Sequence, residues 1–312
     1  MLKIGNVQLD NANILAPMAG VTDLPFRVIC AEMGAGLVCT EMISAKAITY
    51  KNKATNAMME ISPKEGMVSL QLFGSEPDVM AEAVKMIDNL PYQILDINMG
   101  CPVTKVVSNN EGSALMRNPD LAYDIAKAVV KASSKPVTCK IRAGYTHEEM
   151  NAPEFAKRLE DAGVSAICVH GRTKEDMYRG NVNYDIIKKV VDAVSIPVIG
   201  NGDITNVVTA TKMYEETGCA GIAVARGARG NPWIFKSLIS GEDYKPSKEE
   251  VISMMLKHLN SLLEIKGEYT AIREMRAHAS WYTAGMYGST EFRRKINMCN
   301  TKEELTDLME NM

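Results

Sequence analysis

The 312-residue chain has no apolar run approaching the ~18 residues of a membrane-spanning helix, and its first residues, MLKIGNVQLDN, lack the apolar centre of a signal peptide. A membrane protein and a secreted one are both excluded on this reading. The chain has no CxxC pair and no Cys/His cluster, so neither zinc nor an iron–sulfur centre is expected, and no metal is assigned. Cys30, Cys39, Cys101, Cys139, Cys168, Cys219 and Cys299 are odd in number and scattered, which fits free thiols in a reducing cytoplasm rather than a disulfide framework. A strong charge of either sign is also missing: the net charge is −3 and the pI about 5.9. Any nucleic-acid partner must therefore meet a local basic patch. No GxGxxG follows the first apolar run, which weakens a dinucleotide-binding open sheet.

What is present is a regular alternation. Apolar β-forming runs at Asn13–Met18, Leu37–Met42, Met67–Phe73, Ile94–Asn98, Val137–Arg142, Ala166–His170, Pro197–Gly200 and Gly221–Ala225 read as strands. Between them lie helical stretches at Leu24–Met33, Pro77–Leu90, Pro119–Ala132, Pro153–Ala162, Tyr184–Ala193 and Thr205–Glu216, several with Pro near the start and Gly past the end. Eight strands, most followed by a helix, predict an α/β protein with an eight-stranded parallel (β/α)8 barrel. An open doubly wound sheet is the alternative. The stretch GEDYKPSK, residues 241–248, reads as a linker, and beyond it only helical patterns follow. A barrel domain over residues 1–240 and a small all-helical domain over residues 241–312 are expected.

The most pointed stretch is ILDINMGCPVTK, residues 94–105. A short apolar strand delivers Asn98, Gly100, Cys101 and Pro102 in immediate succession. Gly100 permits a tight turn and Pro102 fixes the chain just after the sulfur, so the thiol is held rather than loose. Alone, the pattern is as consistent with a small buried thiol as with a reactive one.

The other strand ends supply the company Cys101 keeps. They are Ala16-Pro17-Met18-Ala19-Gly20, Gln71 in SLQLFG, Lys140 and Arg142 in CKIRAG, His170 in VHGRT, then Asn201-Gly202-Asp203 and Arg226-Gly227. In a barrel these ends form one mouth. Gly200-Asn201-Gly202-Asp203 and Arg226-Gly227-Ala228-Arg229-Gly230 are glycine-rich, and such backbone brings N–H groups against phosphate oxygens. Each could be a plain tight turn; two in succession favour a phosphorylated ligand. Lys140, between Cys139 and Ile141, needs the barrel mouth, where an ammonium opposite a flavin would stabilise the reduced, anionic ring. Gln71, donor and acceptor at once, suits a flavin's uracil-like edge.

With these residues assembled, the chain resembles the tRNA-dihydrouridine synthases, closest to the bacterial B type. The resemblance runs through APMAGVTDLPFR (16–27), QLFG (71–74), DINMGCP (96–102), GSAL (112–115), KIRAG (140–144), VHGRT (169–173), GNGDI (200–204), RGARGNPWIF (226–235), REMRAHASWY (273–282) and FRRKIN (292–297). It implies FMN in the barrel, NADPH as reductant, and tRNA bound through the helical domain of a cytoplasmic monomer. Carried over by position, Pro17, Met18 and Ala19 line the flavin ring, and Gln71 and Lys140 bond its pyrimidine edge. His170, Asn201, Gly202, Asp203, Ala225 and Arg226 hold its ribityl chain and phosphate. Cys101 is the proton donor, and Asn98 and Arg142 lie near the target uracil. The tRNA-binding candidates are Arg273, Arg276, Arg293 and Arg294. Three positions depart from the family's habit: Ala225 precedes Arg226 where Gly is usual, Arg229 replaces a common Leu, and Ala277 a frequent Lys.

The implied chemistry is reduction of the C5=C6 bond of specific tRNA uridines, with hydride to C6 and a proton from Cys101 to C5. Two other readings stay open at this stage. One is an FMN-dependent dihydropyrimidine or dihydroorotate-type dehydrogenase acting on free bases, against which the arginines of the helical domain argue. The other is a non-catalytic tRNA-binding protein, against which Cys101, Lys140 and His170 argue.

Overall fold

The computed structural model describes residues 1–312, the side chain of Ala54 excepted. Eight strands form the barrel: β1 (Asn13–Leu15), β2 (Leu37–Cys39), β3 (Val68–Phe73), β4 (Ile94–Asn98), β5 (Val137–Gly144), β6 (Ala166–Thr173), β7 (Val198–Asn201) and β8 (Gly221–Val224). Each pairs in parallel with its neighbours in chain order, and β8 returns to β1, so the sheet closes. Parallel strands covered on both faces need apolar residues throughout, which is why these runs are continuous rather than alternating. Registry places Gln71 beside Asp96, Asn98 beside Lys140, and Arg142 and Asn201 each beside His170.

The surrounding helices show why they form where they do. The first, α1 (Leu24–Glu32), starts at Asp23, whose side chain accepts from the Phe26 N–H. Pro119–Ala132 is capped by Asn118 and buries Ala122, Ile125, Ala126 and Val129, a helical stripe facing the strands. Among the described residues no helix is long and apolar enough to cross a membrane.

An N-terminal hairpin, Leu2–Ile4 with Val7–Leu9, closes the barrel's other end. Its Leu2, Ile4 and Leu9 pack against Ile14, Leu37, Ile94, Ala166 and Ile199. The strands' C-terminal ends are left as the open mouth.

Four helices make the C-terminal part: Lys248–Lys266, Glu268–Tyr282, Ser289–Ile296 and Lys302–Glu310. Ser247 and Thr301 each form a capping box, with Glu250 and Glu304. Their core of Met255, Leu259, Leu262, Ile272, Met275, Phe292, Ile296 and Leu305 also takes in Ile29 and Trp233 from the barrel side. At this seam Phe26 lies 5.8 Å from His258 and 5.4 Å from His278, ring centre to ring centre. Lys266 Nζ bridges Asp23 Oδ2 and Glu274 Oε2, at 2.6 Å each. A Cβ at Gly230 would lie 2.2 Å from the Trp281 backbone, so only glycine allows this approach.

Candidate active site

A cleft of about 790 Å³ occupies the barrel mouth, within the usual range for a cofactor or substrate site. It gathers every residue expected around the flavin and Cys101. Pro17, Met18 and Ala19 form one wall, leaving β1 through a turn held by the Thr22 hydroxyl, which accepts from Met18 N at 3.0 Å.

The Cys101 turn is tied down on every side. Asn98 Oδ1 accepts from the N–H groups of Gly100 (3.2 Å) and Cys101 (2.9 Å). The Cys101 carbonyl accepts from Ser113 N at 3.0 Å and from Ser113 Oγ at 2.9 Å. Gly112, at φ +59°, lets that segment approach, since a Cβ there would sit 2.8 Å from the same carbonyl. The thiol is half-buried. Burial pushes its pKa up, opposed by the Val103 N–H and by the charges of Arg142 and Lys140. The net rise keeps it protonated at neutral pH, as an acid must be.

Arg142 is buried and largely committed to backbone. Its Nε donates to Gly100 O at 2.7 Å, and its Nη1 donates to Thr173 O (2.7 Å) and Met177 O (2.8 Å). Burial lowers its pKa to about 10, which leaves it charged at neutral pH. Arg142 thus braces the Cys101 turn from β5. The nearby Lys140 is half-buried, and its ammonium makes no side-chain hydrogen bond or ion pair among the described residues; burial lowers its pKa. An ammonium with no carboxylate in ion-pair contact, at the floor of a cleft, suits an anionic ligand.

Gln71 lies beneath the cleft floor, fully buried. Its Nε2 donates to Asp96 Oδ2 at 2.6 Å, and its Oε1 accepts from Asn98 Nδ2 at 2.8 Å. One N–H and one lone pair remain for a ligand.

On the far side of the mouth, β6 to β8 build an anion cradle. Gly202 (φ +133°) could not carry a Cβ, which would lie 2.5 Å from Val182, and one at Gly227 would lie 2.1 Å from Ile204 O. Asn201 is anchored through Nδ2 to Ala223 O at 2.7 Å, and Ala225 lines the wall beside it. The Asp203 carboxylate is engaged by two cations: it takes Arg172 through both oxygens (2.5 and 3.0 Å) and Arg226 at 2.9 Å. Burial raises its pKa, but the arginines outweigh this and hold it below the usual range. Its role is to aim two cations. His170 is pushed well below its ordinary pKa by burial first, then by Lys140, Arg142, Arg172 and Arg226, and is neutral. Arg172 Nη1, a donor only, stands 3.4 Å from His170 Nε2, which assigns the ring proton to Nδ1. Backbone N–H groups, Arg226, a neutral donor in His170 and the open Lys140 fit a phosphorylated flavin.

The four helical arginines lie outside the cleft and differ among themselves. Arg273 is exposed and stacks 3.4 Å above the Tyr269 ring. Arg293 is exposed, with only Nε bonded, to Ser289 O at 3.2 Å. Arg294 pairs with Glu291 through two hydrogen bonds of 3.0 and 2.8 Å. Arg276 holds the Cys299 carbonyl at 2.6 Å and Asn300 at 3.2 Å, tying its helix to the turn between the last two helices. Sequence reasoning passed over Asp96, Arg172 and Tyr178. Asp96 was visible as a carboxylate inside an apolar strand; the other two sit among polar neighbours and gave no such signal.

A family model described as dihydrouridine synthase (Dus) matches residues 14–312. The tRNA-dihydrouridine synthase B of Vibrio vulnificus (strain CMCP6) is 44% identical over 301 residues, 95% of this chain and 94% of that protein. The probable tRNA-dihydrouridine synthase of Rickettsia bellii (strain RML369-C) is 42% identical over 306 residues, 96% of this chain and 94% of that one. Among solved structures, the old yellow enzyme homologue from Zymomonas mobilis superposes with a TM-score of 0.55 at 12% identity, over 78% of this chain and 92% of that chain. That likeness extends to the barrel fold alone. The matched length and the identity to B-type relatives establish that the chain belongs to the dihydrouridine synthase family.

Proposed function

We propose that this chain is a flavin-dependent tRNA-dihydrouridine synthase that uses FMN as its flavin and NADPH as its reductant. The observation that carries the reading is one cleft with three parts: a protonated, rigidly held thiol in the turn after β4, an ammonium on β5 with no ion-pair partner, and an anion cradle in the turns after β7 and β8.

Gly202, Gly227, Arg226 and the His170 Nδ1–H would hold the phosphate and ribityl chain. Pro17, Met18 and Ala19 would pack on the ring, with Gln71 and Lys140 at its pyrimidine edge. A flavin held there would supply hydride chemistry, passing reducing equivalents from NADPH to the uracil C6. Cys101 then delivers its proton to C5, and its raised pKa means it holds that proton at neutral pH. Arg142 keeps the sulfur in place through the Gly100 carbonyl. Lys140 offsets negative charge at the cleft floor. Asn98, at the start of the same turn, would lie near the base.

A uridine inside folded tRNA must leave its stack to reach this cleft, so the surface around the mouth has to hold the polynucleotide. Arg273 and Arg293 are exposed and available for phosphate. Arg294 is shared with Glu291 and Arg276 is structural, so the footprint is narrower than the four arginines expected. A free-base dehydrogenase would need no such surface.

The test is direct. Flavin released from the purified protein by heat should co-elute with FMN. The NADPH-reduced protein should be reoxidised by unmodified tRNA and not by orotate or free uracil. Reoxidation by free pyrimidines alone would refute the reading.

A further inference from the structure

Asp96 is a buried carboxylate in the middle of β4, beside Gln71 on β3 and Thr138 on β5. Both of its oxygens are used: Oδ1 accepts from the Thr138 hydroxyl and Oδ2 from Gln71 Nε2, each at 2.6 Å. Burial pushes its pKa up, while those two hydrogen bonds and the Lys140 charge oppose the rise.

From Asp96 the bonds run in one direction. Gln71 donates to Asp96 and accepts from Asn98 Nδ2; Asn98 Oδ1 then accepts from Gly100 N and Cys101 N. A backbone N–H only donates, which fixes the Asn98 end, and at the other end both Asp96 oxygens accept. Between them, both amides have a single orientation that satisfies every atom. An amide's oxygen and nitrogen are nearly the same size, so packing alone would not choose between orientations. The Gly100 and Cys101 N–H groups at one end and the Asp96 carboxylate at the other make that choice together.

We propose that Asp96 is a positioning residue whose carboxylate, matched to the Gly100 and Cys101 N–H groups at the other end, holds the direction of the hydrogen-bond chain through Gln71 and Asn98, and so supports both the Cys101 turn and the face that the Gln71 amide presents to the cleft. The inference rests on the reading of Cys101 as acid and Gln71 as a flavin contact, and its test separates the two.

The chain can be reversed by an isosteric swap. In Asn98→Asp, residue 98 still accepts from Gly100 and Cys101 but no longer donates to Gln71. Gln71 must turn over, and its oxygen then faces Asp96. Adding Asp96→Asn supplies a donor to that oxygen and keeps an acceptor for Thr138, so every atom is again satisfied, with the Gln71 amide inverted. Packing is unchanged throughout.

The experiment is thermal unfolding and FMN titration of the apoprotein, by quenching of flavin fluorescence, for the wild type, both single variants and the double. Asp96→Asn alone should stay near wild type in both measurements, because its Oδ1 can keep the Gln71 bond. Asn98→Asp should melt well below wild type, and the double variant should recover most of that loss, a strongly non-additive pair. The recovered double variant should still bind FMN roughly ten- to hundred-fold more weakly, because a donor now stands where an acceptor was. A double variant no more stable than Asn98→Asp, or one that binds FMN like the wild type, overturns the proposal. Gln71→Leu isolates the underlying reading: wild-type FMN affinity there would remove Gln71 from the flavin contacts, and the melting series would still decide whether Asp96 directs the chain.

Discussion

Acid should loosen the seam between barrel and helical part through two histidines, and the structure sets the size of the effect. His258 and His278 are buried against Phe26 with ring centres 4.3 Å apart. The groups facing them are the Tyr282 hydroxyl, 3.4 Å from His258 Nδ1, the indole of Trp281, and the charges of Lys266, Asp23 and Arg229. Burial is the main cause that lowers the His278 pKa to about 4, from an ordinary 6.5, and carries His258 well below its own. The folded protein therefore refuses protons that the unfolded chain accepts. Stability from this source is complete above about pH 6.5 and declines as pH falls toward 4. Between pH 7 and pH 5 each histidine should cost about 2 kcal/mol, or about 4 kcal/mol for the pair. Urea unfolding at the two pH values measures it, and the change within each variant cancels any offset from the substitution itself. His258→Gln and His278→Gln should each remove about 2 kcal/mol of the loss between pH 7 and pH 5, and the double variant about 4 kcal/mol, leaving the share of the buried His170, which is shifted in the same direction. If the double variant loses as much stability between pH 7 and pH 5 as the wild type, the seam histidines are not its source.

Three other outcomes test the site. Cys101→Ala should leave flavin reduction by NADPH near wild type in stopped flow while slowing tRNA-driven reoxidation by roughly 10²–10⁴-fold; equal reoxidation rates would make Cys101 a structural thiol. Arg226→Glu should strip the flavin, since it sets a negative charge against phosphate and against Asp203 as well, and full flavin occupancy in that variant would rule out the cradle. Arg273→Ala and Arg293→Ala should each reduce the slope of log tRNA affinity against log salt by roughly 0.7–0.9, whereas Arg276→Ala should lower the melting temperature and spare the slope; unchanged slopes in the first two would remove the helical surface from the tRNA footprint.

The barrel was legible because a buried parallel strand must be apolar along its whole length. The eight runs read from sequence match β1 to β8 to within a few residues. The helices were legible where Asp23 and Asn118 cap them and Gly218 (φ +68°) ends one. The N-terminal hairpin escaped notice because three-residue strands carry too little periodicity, although its leucines plug the barrel. Two short helices after β2, at Ala45–Thr49 and Lys53–Met58, were likewise too brief to declare themselves. Within the site, residues that project from strand ends were found by position. Their partnerships were not, because Arg172 with Asp203, Arg142 with Gly100 and Gln71 with Asp96 join residues far apart in sequence. In the same way, the sequence shows Arg276 as a cation but not its bond to the Cys299 carbonyl in the turn between the last two helices.

The most direct measurement is of the product itself. Transcribed, unmodified tRNA should be incubated with the purified protein and NADPH, then digested to nucleosides and examined by mass spectrometry. The account predicts uridine gaining two hydrogens at defined positions with the wild type, and a small fraction of that yield with Cys101→Ala over the same time. No dihydrouridine from a protein that is fully loaded with flavin and reduced by NADPH would contradict it.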